Sequence, residues 1–131
     1  MEELKILKLN HAREILKSLI SSQIPFRAVV INEGIGYNPQ LPPEIGEQLN
    51  RQQVLIFEFA NYTLQNAQVE GNNLVFETGF GPQNFGSVVT IPIWRVTTIG
   101  LINPNLGVFV NPFSEEDPPS SPSRNTRLIL R

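Results

Sequence analysis

Residues Leu74–Leu101, LVFETGFGPQNFGSVVTIPIWRVTTIGL, carry the clearest structural signal in the chain. Leu74, Phe76, Thr78 and Phe80 stand at every second position, the spacing of one face of a strand. Gly81, Pro82, Asn84 and Gly86 interrupt that pattern, and the β-branched run Val88-Val89-Thr90-Ile91 resumes it. The unit reads as a β-hairpin with a loop longer than the tightest turns. Pro92 cannot donate to a ladder, so the second strand should stop there. Ile93–Val96 then forms a turn or short helical step, with Trp94 as a core residue, and Thr97–Ile102 reads as a further strand.

Working outward, Leu4–Ile20 is the one long helix. Leu4, Leu7, Ala12, Ile15, Leu16, Leu19 and Ile20 fall on one broad stripe, with Lys5, Glu14, Lys17 and Ser18 off it. Glu2, Glu3 and Glu14 break up its positive charge, which favours packing on a sheet or on a second copy over a membrane surface. Phe26–Asn32 reads as the first strand. Residues 33–43 hold two glycines and three prolines and read as a surface loop. Pro43–Leu49 suits a helical turn. Val54–Phe59 (VLIFEF) is so continuously apolar that burial on both faces is expected. Tyr62–Glu70 reads as a weaker strand, turned by Gly71-Asn72-Asn73 into Leu74. Val108–Val110 closes the set after a turn at residues 103–107. The expected fold class is α+β: an N-terminal helix followed by a curled antiparallel sheet, barrel or sandwich.

The chain has 131 residues, the size of one domain. It has no cysteine, which excludes disulfides, thiolate catalysis and cysteine-rich zinc sites. The formal net charge of −2 makes the whole molecule a poor electrostatic partner for nucleic acid. No apolar run is long enough for a bilayer and no signal peptide is evident, so a cytoplasmic protein without membrane partners is expected.

Catalytic arrangements are scarce. His11 is the only histidine and lies in the first helix, while Asp117 is the only aspartate. A Ser-His-Asp or Cys-His arrangement and a histidine metal cluster therefore cannot be assembled in usual form. Glu58, Glu70 and Glu77 fall on expected strands, where exposed carboxylates are ordinary. Gly34-Ile35-Gly36 and Gly79-Phe80-Gly81 lack the strand–loop–helix context of a phosphate cradle. The expectation is a protein that is not an enzyme and needs no cofactor or metal.

From Ser114 the composition changes. Residues 114–123 contain no apolar side chain other than proline and read as a flexible linker, taken here as 114–125. Beyond it, residues 126–131 place Leu128, Ile129 and Leu130 between Arg127 and Arg131. Aliphatics kept beyond a linker suggest a docking peptide for another protein.

This order of parts resembles the stringent starvation protein B (SspB) family, adaptors that deliver ssrA-tagged polypeptides to the ClpXP protease. The resemblance is carried by HAREILKSLISSQIPFRAVVI, QQVLIFEFA, GNNLVFETGFG and VTIPIWRVTTIG, which together span about Ala12–Pro112. The Arg-Leu-Ile-Leu-Arg ending is a second, separate match, similar to that family's ClpX-binding module. The loop Pro82–Gly86 is longer, and the linker shorter, than the family pattern.

What the resemblance implies is a tag-binding domain over residues 1–113, with an Sm-like curled sheet and a homodimer paired through the first helix. It implies two kinds of partner, ssrA-tagged polypeptides and the N-terminal domain of the ClpX unfoldase, the latter docked by Arg127, Leu128, Ile129, Leu130 and Arg131. The tag groove falls on the strands Val54–Phe59, Leu74–Phe80 and Ser87–Ile91. Phe57, Phe59, Phe76, Thr78, Phe80 and Val88 are the candidates for its lining. A reading from a different class is a small Sm- or OB-like binder of single-stranded RNA, stacking bases on phenylalanines. Strands nearly free of Lys and Arg weigh against it.

Overall fold

The computed structural model describes residues 1–119, and the docking peptide expected at 126–131 lies outside them. The elements in chain order are α1 (Glu2–Ser21), β1 (Phe26–Ile31), β2 (Gly36–Asn38), α2 (Pro43–Asn50), β3 (Val54–Phe59) and α3 (Asn61–Asn66). They continue with β4 (Gln68–Glu70), β5 (Asn73–Phe80), β6 (Phe85–Pro92), a 3₁₀ turn at Ile93–Arg95, β7 (Val96–Leu101) and β8 (Leu106–Val110). The α+β expectation holds. The strands form two four-stranded antiparallel sheets, ordered β3-β1-β7-β8 and β2-β6-β5-β4, and they do not close into a barrel.

The decisive hairpin forms as read. β5 and β6 pair in unbroken register from Asn73↔Pro92 to Phe80↔Phe85, and β6 ends at Pro92. Its loop is residues 81–84, where Gly81 (φ +71°) and Asn84 (φ +53°) take left-handed backbone and the Asn84 N–H donates to the Gly81 carbonyl. β5 ends at Phe80 as read, while β6 begins at Phe85, two residues nearer the turn than Ser87.

The core lies between the inner faces of the two sheets and is capped by α1. Phe26, Phe59, Phe76, Leu74, Ile91, Ile93 and Ile99 are fully buried, as is Leu16 of α1. Phe26 and Phe59 stack at 4.5 Å between centroids, and Phe59 meets Phe76 nearly edge-on at 4.6 Å. Burying each large side chain of this kind contributes roughly 1.5–3 kcal/mol. Trp94 is buried as expected.

Three local expectations are corrected. Tyr62–Glu70 is not one strand: residues 61–66 form the short helix α3, and only 68–70 pair with β5. The buried Leu64 anchors that helix, and the Asn66 side chain binds the main chain of Glu77 in both directions. Residues 36–38, within the expected loop, pair as β2 with β6.

β3 is not buried on both faces. It is the edge of its sheet, with Leu55 and Phe59 inward and Val54 and Ile56 in solvent, Ile56 at 63% exposure.

Ser114 and Glu116, at the start of the expected linker, are held against the body. Ser114 is buried, and the Arg95 guanidinium donates to the Ser114 carbonyl at 2.8 Å and the Glu116 carbonyl at 2.9 Å. Trp94 Nε1 also donates to the Glu116 carbonyl, and Lys5 forms an ion pair with the Glu116 carboxylate at 2.9 Å. A segment without apolar side chains is held here through its main-chain carbonyls.

Candidate functional site: a groove at the seam between the sheets

The edge of β3 faces the far half of β5 across an open seam. The Asn32 N–H donates to the Gln53 carbonyl in the same register that pairs β1 with β3. Antiparallel alternation then points the backbone groups of Val54, Ile56 and Glu58 away from β1, toward the free edge. On the other side, β4 covers β5 only from Asn73 to Val75. The next outward-pointing position, Glu77, is satisfied by the Asn66 side chain at 2.6 Å and 3.1 Å, and Gly79 follows it by the same alternation.

A groove of about 310 Å³ occupies this seam, lined by Leu49, Leu55, Ile56, Phe57, Glu58, Phe76, Thr78, Gly79 and Phe80. Its wall is aromatic: Phe57 meets Phe76 at 5.4 Å, and Phe80 rests edge-on against Tyr37 at 5.8 Å. Thr78 accepts or donates a hydroxyl contact with Thr63 at 3.3 Å. Glu58 is held by Arg27, which reaches one carboxylate oxygen through Nε at 3.1 Å and Nη2 at 2.7 Å. Tyr62 of α3 donates its hydroxyl to Glu77, and that bond raises the Tyr62 pKa.

Of the six candidate lining residues, Phe57, Phe76, Thr78 and Phe80 come together in this groove. Phe59 and Val88 do not. Phe59 is fully buried between the sheets, stacked on Phe26. Val88 pairs with Glu77 and is 39% exposed, while its neighbours Ser87 and Val89 are buried. It therefore lies on the opposite face of the hairpin from Thr78, whose partner is Ser87. Phe76 is itself 1% exposed and forms the floor. Leu49, Leu55, Ile56, Glu58 and Gly79 were missed; the expectation of two-sided burial concealed Ile56 and Glu58, and nothing local marks Leu49.

A second cavity of about 640 Å³ adjoins the groove between α2 and the β5–β6 turn, sharing Leu49 and Phe80 with it. Among the described residues no group of three His, Cys, Asp or Glu is arranged to hold a metal ion, and no helix is long and apolar enough to cross a membrane. Comparison with known proteins assigns nothing: no family model matches the chain, and no curated protein matches it.

Proposed function

We propose that the protein is a peptide-binding adaptor of the SspB type, with an Sm-like fold, which holds an ssrA-type degradation tag in the seam groove and delivers the tagged polypeptide to ClpXP. The observation that carries this reading is a free strand edge beside an apolar groove. An extended peptide adds to such an edge through main-chain bonds, while alternate side chains enter the pockets beside it. Main-chain pairing gives affinity for any extended segment, and Phe57, Thr78 and Phe80 would select among side chains.

In this reading the C-terminal Arg-Leu-Ile-Leu-Arg segment docks on the ClpX N-terminal domain, and the protein acts as a tether in place of a catalyst. The Arg95 clasp shortens the tether. The clasp reaches Glu116, which leaves Asp117–Asn125 before Thr126, at most about 32 Å of chain at roughly 3.3–3.6 Å per residue. Hand-over would then take place with the adaptor close against the unfoldase. Two tails on a dimer raise the avidity by effective concentration if both can reach.

The test is fluorescence anisotropy with a labelled ssrA-type peptide, followed by ClpXP degradation of a tagged reporter. Thr78→Gln should weaken peptide binding at least several-fold while the protein stays folded. Deleting Leu128–Arg131 should leave peptide affinity intact and abolish the acceleration of degradation at low substrate concentration. A wild-type protein that leaves the peptide unbound would remove the reading.

A further inference from the structure

The cavity between α2 and the β5–β6 turn continues the groove and has a charge of its own. Pro42, Ile45, Leu49, Phe80, Pro82 and Phe85 make its apolar wall, and its volume falls in the range of ligand pockets. Phe80 stands between the two spaces, braced from behind by the Tyr37 ring. α2 approaches the turn closely: a Cβ on Gly81 would lie 2.7 Å from Ile45 Cδ1, which would have to turn aside, and the left-handed backbone at Gly81 (φ +71°) favours glycine.

Across both spaces the lining contains two carboxylates, Glu44 and Glu58, and no cationic side chain. Glu58 is neutralised by Arg27, whereas Glu44 has no ion-pair partner among the described residues. From Asn32 to Trp94 the chain has six glutamates (33, 44, 47, 58, 70 and 77) and a single cation, Arg51. The cavity lining thus offers a peptide one carboxylate, Glu44, and no cation.

We propose that this cavity is a specificity pocket for the bound peptide, taking one large aliphatic or aromatic side chain, with a neighbouring Lys or Arg of the peptide set against Glu44. The inference rests on the peptide-binding reading above and adds to it the chemistry of the preferred segment. Continuity through Phe80 and Leu49 makes one extended strand long enough to use both spaces, its backbone along β3 and one side chain beyond Phe80. Main-chain pairing at β3 cannot distinguish sequences. The pocket and its carboxylate can.

The test selects a random decapeptide phage library on the full chain, then measures the best peptide by anisotropy beside two altered versions. One replaces its large apolar residue by Ala and the other its basic residue by Glu. Losses of roughly 10-fold or more and of about 3–10-fold, respectively, are expected. Glu44→Lys lies on the exposed side of α2 and should reverse the Arg-over-Glu preference, while Ile45→Trp should fill the pocket and remove the apolar preference. Selected peptides that depend on Phe57 and Thr78 but ignore Glu44 and Ile45 would overturn this inference and leave peptide binding standing. Enrichment of no peptide would overturn both. Leu128→Asp in the full chain should leave peptide affinity unchanged; tighter binding of every peptide, whatever its charge, would make the chain's own C-terminal segment the occupant and overturn the proposal. Loss of self-association in Ile45→Trp would do the same in favour of a second copy.

Discussion

Phe57 of β3 and Phe76 of β5 meet at 5.4 Å with their rings inclined by 72°, joining two strands that share no ladder. Edge-to-face pairs of this kind add about 0.5–1.5 kcal/mol beyond area burial. At this seam, aromatic packing does the work that hydrogen bonds do elsewhere in the sheets. The same rings form the wall and floor of the groove, so the contact that closes the sandwich also shapes the surface proposed to bind peptide.

The two phenylalanines of β3 should separate stability from binding. Phe59→Ala empties a fully buried site and is expected to cost about 3–5 kcal/mol. Phe57→Ala, at a half-buried position, should cost clearly less and weaken peptide binding in the surviving folded protein. Chemical denaturation together with anisotropy checks both; equal destabilisation by the two would place Phe57 in the core.

Arg95 should govern where the body ends. Its guanidinium gathers the carbonyls of Ser114 and Glu116 and the Glu33 carboxylate, the last at 3.1 Å. Arg95→Ala should cost about 1.5–3 kcal/mol, the range for hydrogen bonds to a charged group. It should also open residues 114–119 to proteolysis. Arg95→Lys should fall between, because one ammonium cannot reproduce the planar fork. Limited digestion read by mass spectrometry follows the segment, and an unchanged cleavage pattern would mean that Trp94 and Lys5 hold it without Arg95.

The helix and the central hairpin were legible because periodicity is local: Ala12, Leu16 and Leu19 are buried together on α1, and β5 alternates as read. Period two reveals that a strand has two faces but not which one meets the core, and Val88 was misplaced for that reason. β3 was misread because its burial depends on whether another layer covers Val54 and Ile56, and none among the described residues does. α3 depends on Asn66 finding Glu77, and the clasp on Arg95 finding carbonyls at 114 and 116; neither partner shows in a side-chain pattern. The groove was legible on the strands that carry it and illegible at Leu49, which a separate helix brings to it.

Tyr37 is an opportunity for stabilisation. Among the described residues no group hydrogen-bonds its buried hydroxyl, and burial pushes its pKa up from 10.0. An unsatisfied buried hydroxyl costs about 1–3 kcal/mol, so Tyr37→Phe should stabilise the protein by an amount in that range while keeping the ring against Phe80. Destabilisation on thermal melting would reveal a partner for the hydroxyl.

The dimer expected through α1 is best tested at Leu7, which is 61% exposed on the helix, with Leu4 at 42%. Leu19 is a poor choice because it is buried within its own subunit, where an aspartate would unfold the protein. Leu7→Asp should leave the fold intact and convert a dimer to a monomer in sedimentation equilibrium. A wild-type monomer at micromolar concentration would refute pairing through α1.

The last prediction concerns alkaline pH. Tyr62 is exposed, and its pKa is raised above 10.0 first by its hydrogen bond to Glu77, then by the negative charge of that carboxylate, and last by desolvation. Raising the pKa means that the folded state favours the neutral phenol. The resulting contribution to stability is fully present below the ordinary value of 10.0 and is lost as pH rises through the folded value. Ionisation then places two negative charges together where α3 lies against β5, beside the groove, and peptide binding should weaken over the same interval. Glu77→Gln removes the charge but keeps an acceptor, so the Tyr62 transition should move toward 10.0 while that of Tyr37, raised by burial, stays in place. With only two tyrosines in the chain, an ultraviolet phenolate titration resolves both, and Tyr37→Phe identifies the Tyr62 curve. A Tyr62 transition that Glu77→Gln leaves unmoved would sever the link between this contact and the groove's alkaline sensitivity.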